Sequence, residues 1–337
     1  MGREKNNLRK NSVVNEGQET WIQSLLDNWN IEYSNISVKH SEFSGEQEME
    51  PHIWQIDNSY FLKRVEYAEL VENIHTISLI LHKHGIPTAV PISTKKGNLF
   101  VARDKKAYFL MHKLRGETFH DFQKYDWNKY GYLAGQTIAR FQIALQDCEI
   151  AAVNIMKVDN YSEVINWAIP RIKDNLSANI TEKAFSVLDE YVSIFSILYY
   201  KLPRQLTHND LHGHNILFQD EEFTGIIDLD SSVQNVKIFD LISFSGWLLY
   251  CMRNNRASWL PSLSAILHGY ISIIHLTTDE INSIFFMLYT FGLICIAKFI
   301  EISSDDIVLK GIEALDWIVD NRKSLNKIES ILLASCK

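Results

Sequence analysis

The stretch QLTHNDLHGHNILFQDEEFTGIIDLD, Gln205 to Asp230, breaks an otherwise helical half of the chain and decides how the rest is read. It holds two apolar β-type runs, Asn215 to Phe218 and Thr224 to Asp228, joined by the acidic turn Gln219-Asp220-Glu221-Glu222, which is the pattern of a hairpin. Working outward, helical periodicity fills both flanks. Apolar faces recur in Trp127 to Leu145, Tyr161 to Asp174 and Thr181 to Tyr200 before it. They recur in Asp240 to Met252, Ser258 to Ile274, Asp279 to Ile302 and Asp305 to Leu333 after it. Before about Leu110 the texture changes to short β-type runs at Ile31 to Val38, Ile53 to Ile56, Tyr60 to Val65, Leu99 to Ala102 and Tyr108 to Met111. One helix interrupts them, about Ala68 to His84, with Val71, Ile74, Ser78 and Leu81 on one face and Gly85-Ile86-Pro87 as its stop. A small antiparallel-sheet lobe followed by a larger helical lobe with one polar hairpin is an α+β, two-lobed plan, and 337 residues suffice for two cores.

Around the hairpin stand His208, Asn209 and Asp210, then Asn215, then Asp228. Phosphoryl transfer asks a protein to position groups and neutralise charge: a carboxylate to accept the hydroxyl proton, and oxygen ligands for the Mg²⁺ ions that bridge the phosphates. The spacing H-x-D-x-x-x-x-N, followed by a strand and an Asp, supplies both. Four residues, Leu211 to His214, separate Asp210 from Asn215, so the carboxylate can face an acceptor while the amide turns to a metal. Each polar residue taken singly also suits a turn or a cap. The set at this spacing, with β-type runs between, favours catalysis. His208 is assigned to shaping the catalytic segment beside Asp210.

These residues resemble the aminoglycoside phosphotransferase and choline kinase superfamily, whose signature is close to H-[GN]-D-[LF]-H-x-x-N-[IV]-L-[FV] and then G-[IV]-I-D. Thr207 to Phe218 and Gly225 to Asp228 match it nearly residue for residue. The resemblance implies a protein-kinase-like fold, ATP and Mg²⁺ as cofactors, Asp210 as catalytic base, and Asn215 and Asp228 as metal ligands. It implies that Asp240, in Ile238-Phe239-Asp240-Leu241-Ile242, opens the next helix and braces the catalytic loop. In the first half, Lys63 of the strand Tyr60 to Val65 aligns with the ATP-phosphate lysine. Tyr108 to Gly116 looks like the strand and hinge, where backbone groups of about Met111 to Lys113 hold the adenine edge. Departures are equally specific. Ser41 to Glu50 has only Gly45 where phosphate-covering loops often carry several glycines, and the position of the lysine's helix glutamate is Ile74. Glu69 and Glu72 fall off that face. Asp230 either joins the metal shell or caps a turn.

Composition bounds the partners. With 33 basic and 41 acidic residues the net charge is −8, which offers no electrostatic footprint for nucleic acid. Four cysteines, Cys148, Cys251, Cys295 and Cys336, lack any CxxC pair or zinc spacing and read as reduced thiols of a cytoplasmic protein. The apolar run Ile284 to Ala297 falls short of the roughly 20 residues of a bilayer span and reads as a core helix, so no membrane partner is expected. The expected division is a polar tail at 1–19, a nucleotide-binding lobe at 20–112 and a catalytic and substrate lobe at 113–337. The acceptor is a small molecule with a hydroxyl. Carboxylates of the C-terminal helices suit an aminoglycoside, while Trp247, Tyr250, Trp259, Tyr289 and Trp317 suit an amino alcohol bound in an aromatic cage. The His-Asn-Asp form and Leu202-Pro203 also resemble choline kinases and homoserine kinases, which implies choline or homoserine as acceptor. The competing reading is a catalytically silent, kinase-like scaffold.

Overall fold

The computed structural model describes residues 12–13, 16–38, 52–119, 122–151, 155–302 and 305–335. Its first half is a six-stranded antiparallel sheet formed by β1 (Ser12–Val13), β2 (Ile36–Val38), β3 (Ile53–Ile56), β4 (Tyr60–Val65), β5 (Val101–Arg103) and β6 (Lys106–His112), in the order β1-β2-β3-β4-β6-β5. Two helices flank it, α1 (Glu16–Leu26) and α2 (Ala68–Lys83). The helix α1 begins inside the segment expected as a polar tail. Its composition is mostly polar, but Ile22, Leu25 and Leu26 are buried and form one core with Trp29, Trp54, Leu62, Tyr108 and Leu110.

The strand period of two sorts β4 and β6 between two environments. Leu62, Tyr108 and Leu110 face the α1 core, whereas Val65, Ala107 and Phe109 join the core that α2 shares with the second lobe. Lys63 pairs with Phe109 across the strands, which puts its ammonium on the side of α2 and the cleft.

The second half is helical. The helix α3 (Trp127–Ala151) packs closely along Trp259–Ile271, and Thr278–Ile302 runs through the centre. That central helix has 25 residues, matching the helical segment expected from Asp279 to Ile302 and extending past the apolar run Ile284 to Ala297 at both ends. It is long and apolar enough to cross a membrane, and 72% of its most apolar window is buried inside this lobe. The last helical segment divides at Asn321 into Asp305–Asp320 and Arg322–Ser335.

Two short ribbons interrupt the helices. β7 (Arg204–Thr207) pairs antiparallel with β10 (Val233–Val236), and β8 (Ile216–Gln219) with β9 (Glu222–Ile226). The hairpin expected from the sequence is present, with Asp220 and Glu221 at positive φ in its turn. It is also the seam between the lobes. Ile226 donates its N–H to the Pro87 carbonyl at 3.0 Å just after α2, and Phe218 exchanges backbone hydrogen bonds at 2.9 and 3.0 Å with Glu117, in the segment of the second lobe that follows the hinge.

Candidate active site

The loop 208–215 leaves β7, and the turn 227–232 leads from β9 into β10, so the β7–β10 pairing holds the two polar segments side by side. They are laced together directly. Ile227 donates its N–H to the Asn215 carbonyl at 3.0 Å, and a ring nitrogen of His208, Nε2, meets the Ile227 carbonyl at 2.9 Å. Those bonds hold the residue preceding Asp228 from both sides.

Asp240 supplies the brace from below. It is fully buried in the first turn of the helix Phe239–Cys251, and its carboxylate accepts the backbone N–H groups of His208 at 3.0 Å and Asn209 at 2.9 Å. Ile238 occupies the N-cap position and its side chain caps nothing, so Asp240 acts on the loop and not as a plain cap. Asn209 has φ of +66°, a left-handed conformation that asparagine tolerates, and Asn235 Nδ2 holds its side-chain oxygen at 3.0 Å. The chain therefore reverses at Asn209 and presents Asp210 to the cleft.

That cleft, about 570 Å³, lies between the lobes. Lys63, Met111, Lys113, Asp210, Asn215 and Asp228 all line it, together with Asp230. His208 does not. It is buried against Phe141 with its Nε2 engaged, which fits the loop-shaping role and not contact with a reacting group.

Asp210 is half exposed, and that exposure opens on the cleft it lines. Desolvation by the cleft walls pushes its pKa up, opposed by the positive fields of His208 and Lys298. Asn215 is buried and donates Nδ2 to the Asp210 carbonyl at 2.9 Å, which leaves the amide oxygen as the group it can offer a cation. Asp228 sits in the left-handed region, φ +70° and ψ +53°, which turns its carboxylate back toward Lys63.

Lys63 Nζ contacts Asp228 Oδ1 and lies 2.7 Å from Asp230 Oδ1. Burial works against the ammonium, but the two carboxylates hold its pKa above the ordinary lysine value. Burial would likewise raise the Asp228 carboxyl, yet Lys63 keeps it well below the usual range. Asp230 is displaced upward by burial and by Asp228.

Among the described residues no group of three or more His, Cys, Asp or Glu side chains is arranged to hold a metal by itself. One carboxylate and one amide oxygen at the cleft floor are nonetheless the donor set that Mg²⁺ takes when substrate phosphates and water complete its shell. The residues fit such an ion.

At the hinge, Met111 and Lys113 line the cleft, and the Lys113 N–H is donated to the Ser59 carbonyl at 2.8 Å. Its backbone carbonyl is what remains to meet a base edge. The phosphate-covering loop expected at Ser41 to Glu50 lies outside the described residues, as does Cys336. Among the described residues, Cys148, Cys251 and Cys295 form no disulfide bond.

Sequence reasoning left the packing behind the catalytic loop unassigned. Trp247 stacks on His212, with ring centroids 5.7 Å apart, and packs edge-on against Phe122 and His214 at 4.7 and 5.3 Å. Gly213 abuts its indole closely enough to leave no room for a Cβ. Trp247 had stood only among five aromatic candidates.

Comparison with known proteins points the same way. A family model described as "Phosphotransferase enzyme family" matches residues 50–272. The homoserine kinase of Janthinobacterium sp. (strain Marseille) is 24% identical over 212 residues, covering 58% of this chain and 62% of that protein, so the match spans under two thirds of that relative. Among solved structures, an aminoglycoside phosphotransferase from Alicyclobacillus acidocaldarius superposes with a TM-score of 0.68 at 11% identity, covering 98% of this chain and all of that one. The amicoumacin kinase hAmiN, in complex with AMP-PNP, Ca²⁺ and Ami, gives 0.66 at 14%, over 91% and 94%. The two-lobed kinase-like fold is shared with both.

Proposed function

Since the chain belongs to the phosphotransferase enzyme family, we propose that it transfers the γ-phosphoryl group of ATP to a hydroxyl of a small molecule in the cytoplasm. The observation that carries this reading is the convergence of Asp210, Asn215, Asp228 and Lys63, from three separate segments, on one interlobe cleft. In it residues 20–112 form the nucleotide lobe and residues 113–337 the catalytic and substrate lobe.

ATP lies with its adenine against the hinge at Met111 to Lys113 and its phosphates toward Lys63. Asn215 and Asp228 would hold Mg²⁺, which supplies neutralisation of the charge that develops on the phosphates. Asp210 accepts the proton of the acceptor hydroxyl, and its position is set by the Asp240 brace and by the bond from Asn215 Nδ2 to its own carbonyl. Desolvation raises its pKa, which makes it a stronger base than an ordinary carboxylate.

The acceptor best supported is a hydroxylated amino acid or amine of the homoserine class. The matched relative is a homoserine kinase, and Lys298 places positive charge near Asp210, which disfavours a polycationic antibiotic and suits an acceptor carrying a carboxylate. The test is an ATP-consumption screen over homoserine, amino alcohols, aminoglycosides and simple sugars, alongside thermal unfolding with Mg²⁺ and ATP. Turnover with an aminoglycoside and none with homoserine would overturn the acceptor assignment. No thermal shift at millimolar nucleotide would favour the silent scaffold, because a ligand bound only by the native state must stabilise it.

A further inference from the structure

We infer that Asp230 positions Lys63 for the nucleotide phosphates, taking the place of a carboxylate on helix α2. The inference rests on the reading of Lys63 as the phosphate lysine. Lys63 is 5% exposed, and an ammonium so buried requires a charged partner that stays in place. In protein kinases that partner is a glutamate from the helix of the nucleotide lobe, and the pair must be formed for activity. Here α2 presents Ile74 to the cleft, itself buried, while Glu69 and Glu72 are exposed and do not line it.

Among the described residues, the carboxylates within ion-pair reach of Lys63 Nζ are those of Asp228 and Asp230. They cannot serve equally once nucleotide is bound. Asp228 is the residue that would turn to the metal, and a carboxylate so engaged has less charge to spare for the ammonium. Asp230 lies two residues on, in the turn Leu229–Ser231, with its Oδ1 at 2.7 Å from Nζ. That turn packs against α2, so Asp230 reaches the lysine from the floor of the cleft and not from the helix. The lysine is thereby tied to the metal-binding turn, and its position does not depend on a rotation of α2.

The experiment is a double-mutant cycle read by calorimetric binding of Mg·AMP-PNP, on the full chain, with thermal melts to confirm folding. Asp230→Asn should weaken binding by about tenfold or more where Lys63 is present, and by under about twofold in a Lys63→Met background, because the residue acts through the lysine. Its Mg²⁺ requirement should stay that of the unaltered chain. Ile74→Glu placed in the Asp230→Asn chain should recover most of the lost affinity by supplying the partner from the helix.

A loss that persists in the Lys63→Met background together with a raised Mg²⁺ requirement would make Asp230 a metal ligand and overturn the inference. An Asp230→Asn chain that binds as tightly as the original would overturn it as well. If the unaltered chain failed to bind Mg·AMP-PNP at all, the nucleotide-site reading itself would fall, an outcome distinct from either.

Discussion

Replacing Gly213 with alanine should disable the catalytic loop while leaving the chain folded. A methyl group built there stands 2.2 Å from Trp247 Cη2, 2.4 Å from Cζ3 and 3.0 Å from Phe119 Cδ2. Carbon atoms in ordinary contact sit at about 3.5–4.0 Å, so the overlap with the indole exceeds an ångström. Trp247 has little room to retreat, being 6% exposed and enclosed by His212, His214, Phe122 and Phe244. The loop must give instead, and Gly213 lies between Asp210 and Asn215. Overpacking of this kind costs roughly 1–3 kcal/mol, which for a chain of this size lowers Tm by about 1–4 °C. A displacement of about 1 Å at a positioned group costs about 10²-fold in rate. The assay is ADP release with the acceptor found by the screen, paired with a thermal melt. Trimming the indole with Trp247→Leu in the Gly213→Ala chain should return part of the lost kcat. Wild-type kcat and Tm for Gly213→Ala alone would refute the claim that the indole and the loop are in rigid contact.

Asp210→Asn should lower kcat by about 10²- to 10⁴-fold with nucleotide affinity nearly unchanged, whereas Asp228→Ala should abolish metal-dependent nucleotide binding in a calorimeter. Gly269→Ala should destabilise more than Gly213→Ala, by about 3 kcal/mol or more in urea unfolding, because its methyl would meet the Tyr132 carbonyl of α3 at 2.0 Å and a backbone carbonyl cannot rotate aside. Glu329, whose carboxyl burial pushes up to about 7 against the hydrogen bond from the Phe285 N–H, should make stability fall as pH rises from about 4.5 to about 7. The folded chain holds that proton to higher pH than the unfolded one, so ionisation favours unfolding. The loss is up to about 3 kcal/mol, and it should be absent in Glu329→Gln when unfolding is followed across that range.

Much of this molecule is written locally in its sequence. Short apolar runs place β3, β4 and β6, and the 3.6-residue period of Val71, Ile74, Ser78 and Leu81 places α2, because such patterns are properties of neighbours along the chain. The motif spacing from Asp210 to Asn215 and on to Asp228 determines the order of the candidate ligands, since a loop of that length can present a carboxylate and an amide to one cleft. The helix α1 escaped such a reading, because its buried stripe of Ile22, Leu25 and Leu26 is narrow among polar residues and gains its worth only against Trp29, Trp54 and Tyr108.

Tertiary structure decided what depends on distant residues meeting. Lys63 and Asp230 are 167 positions apart, and their ion pair exists because the strand period turns one toward the cleft and the left-handed turn at Asp228 carries the other back to it. Gly213 and Trp247 meet only after the hairpin docks on the helix that begins at Phe239, and the Lys113 N–H is taken by Ser59 through the pairing of neighbouring strands. A sequence determines which side chains a segment can present. Which partner each one meets is an outcome of chain packing, where contact energies act across a closed distance and not along the chain.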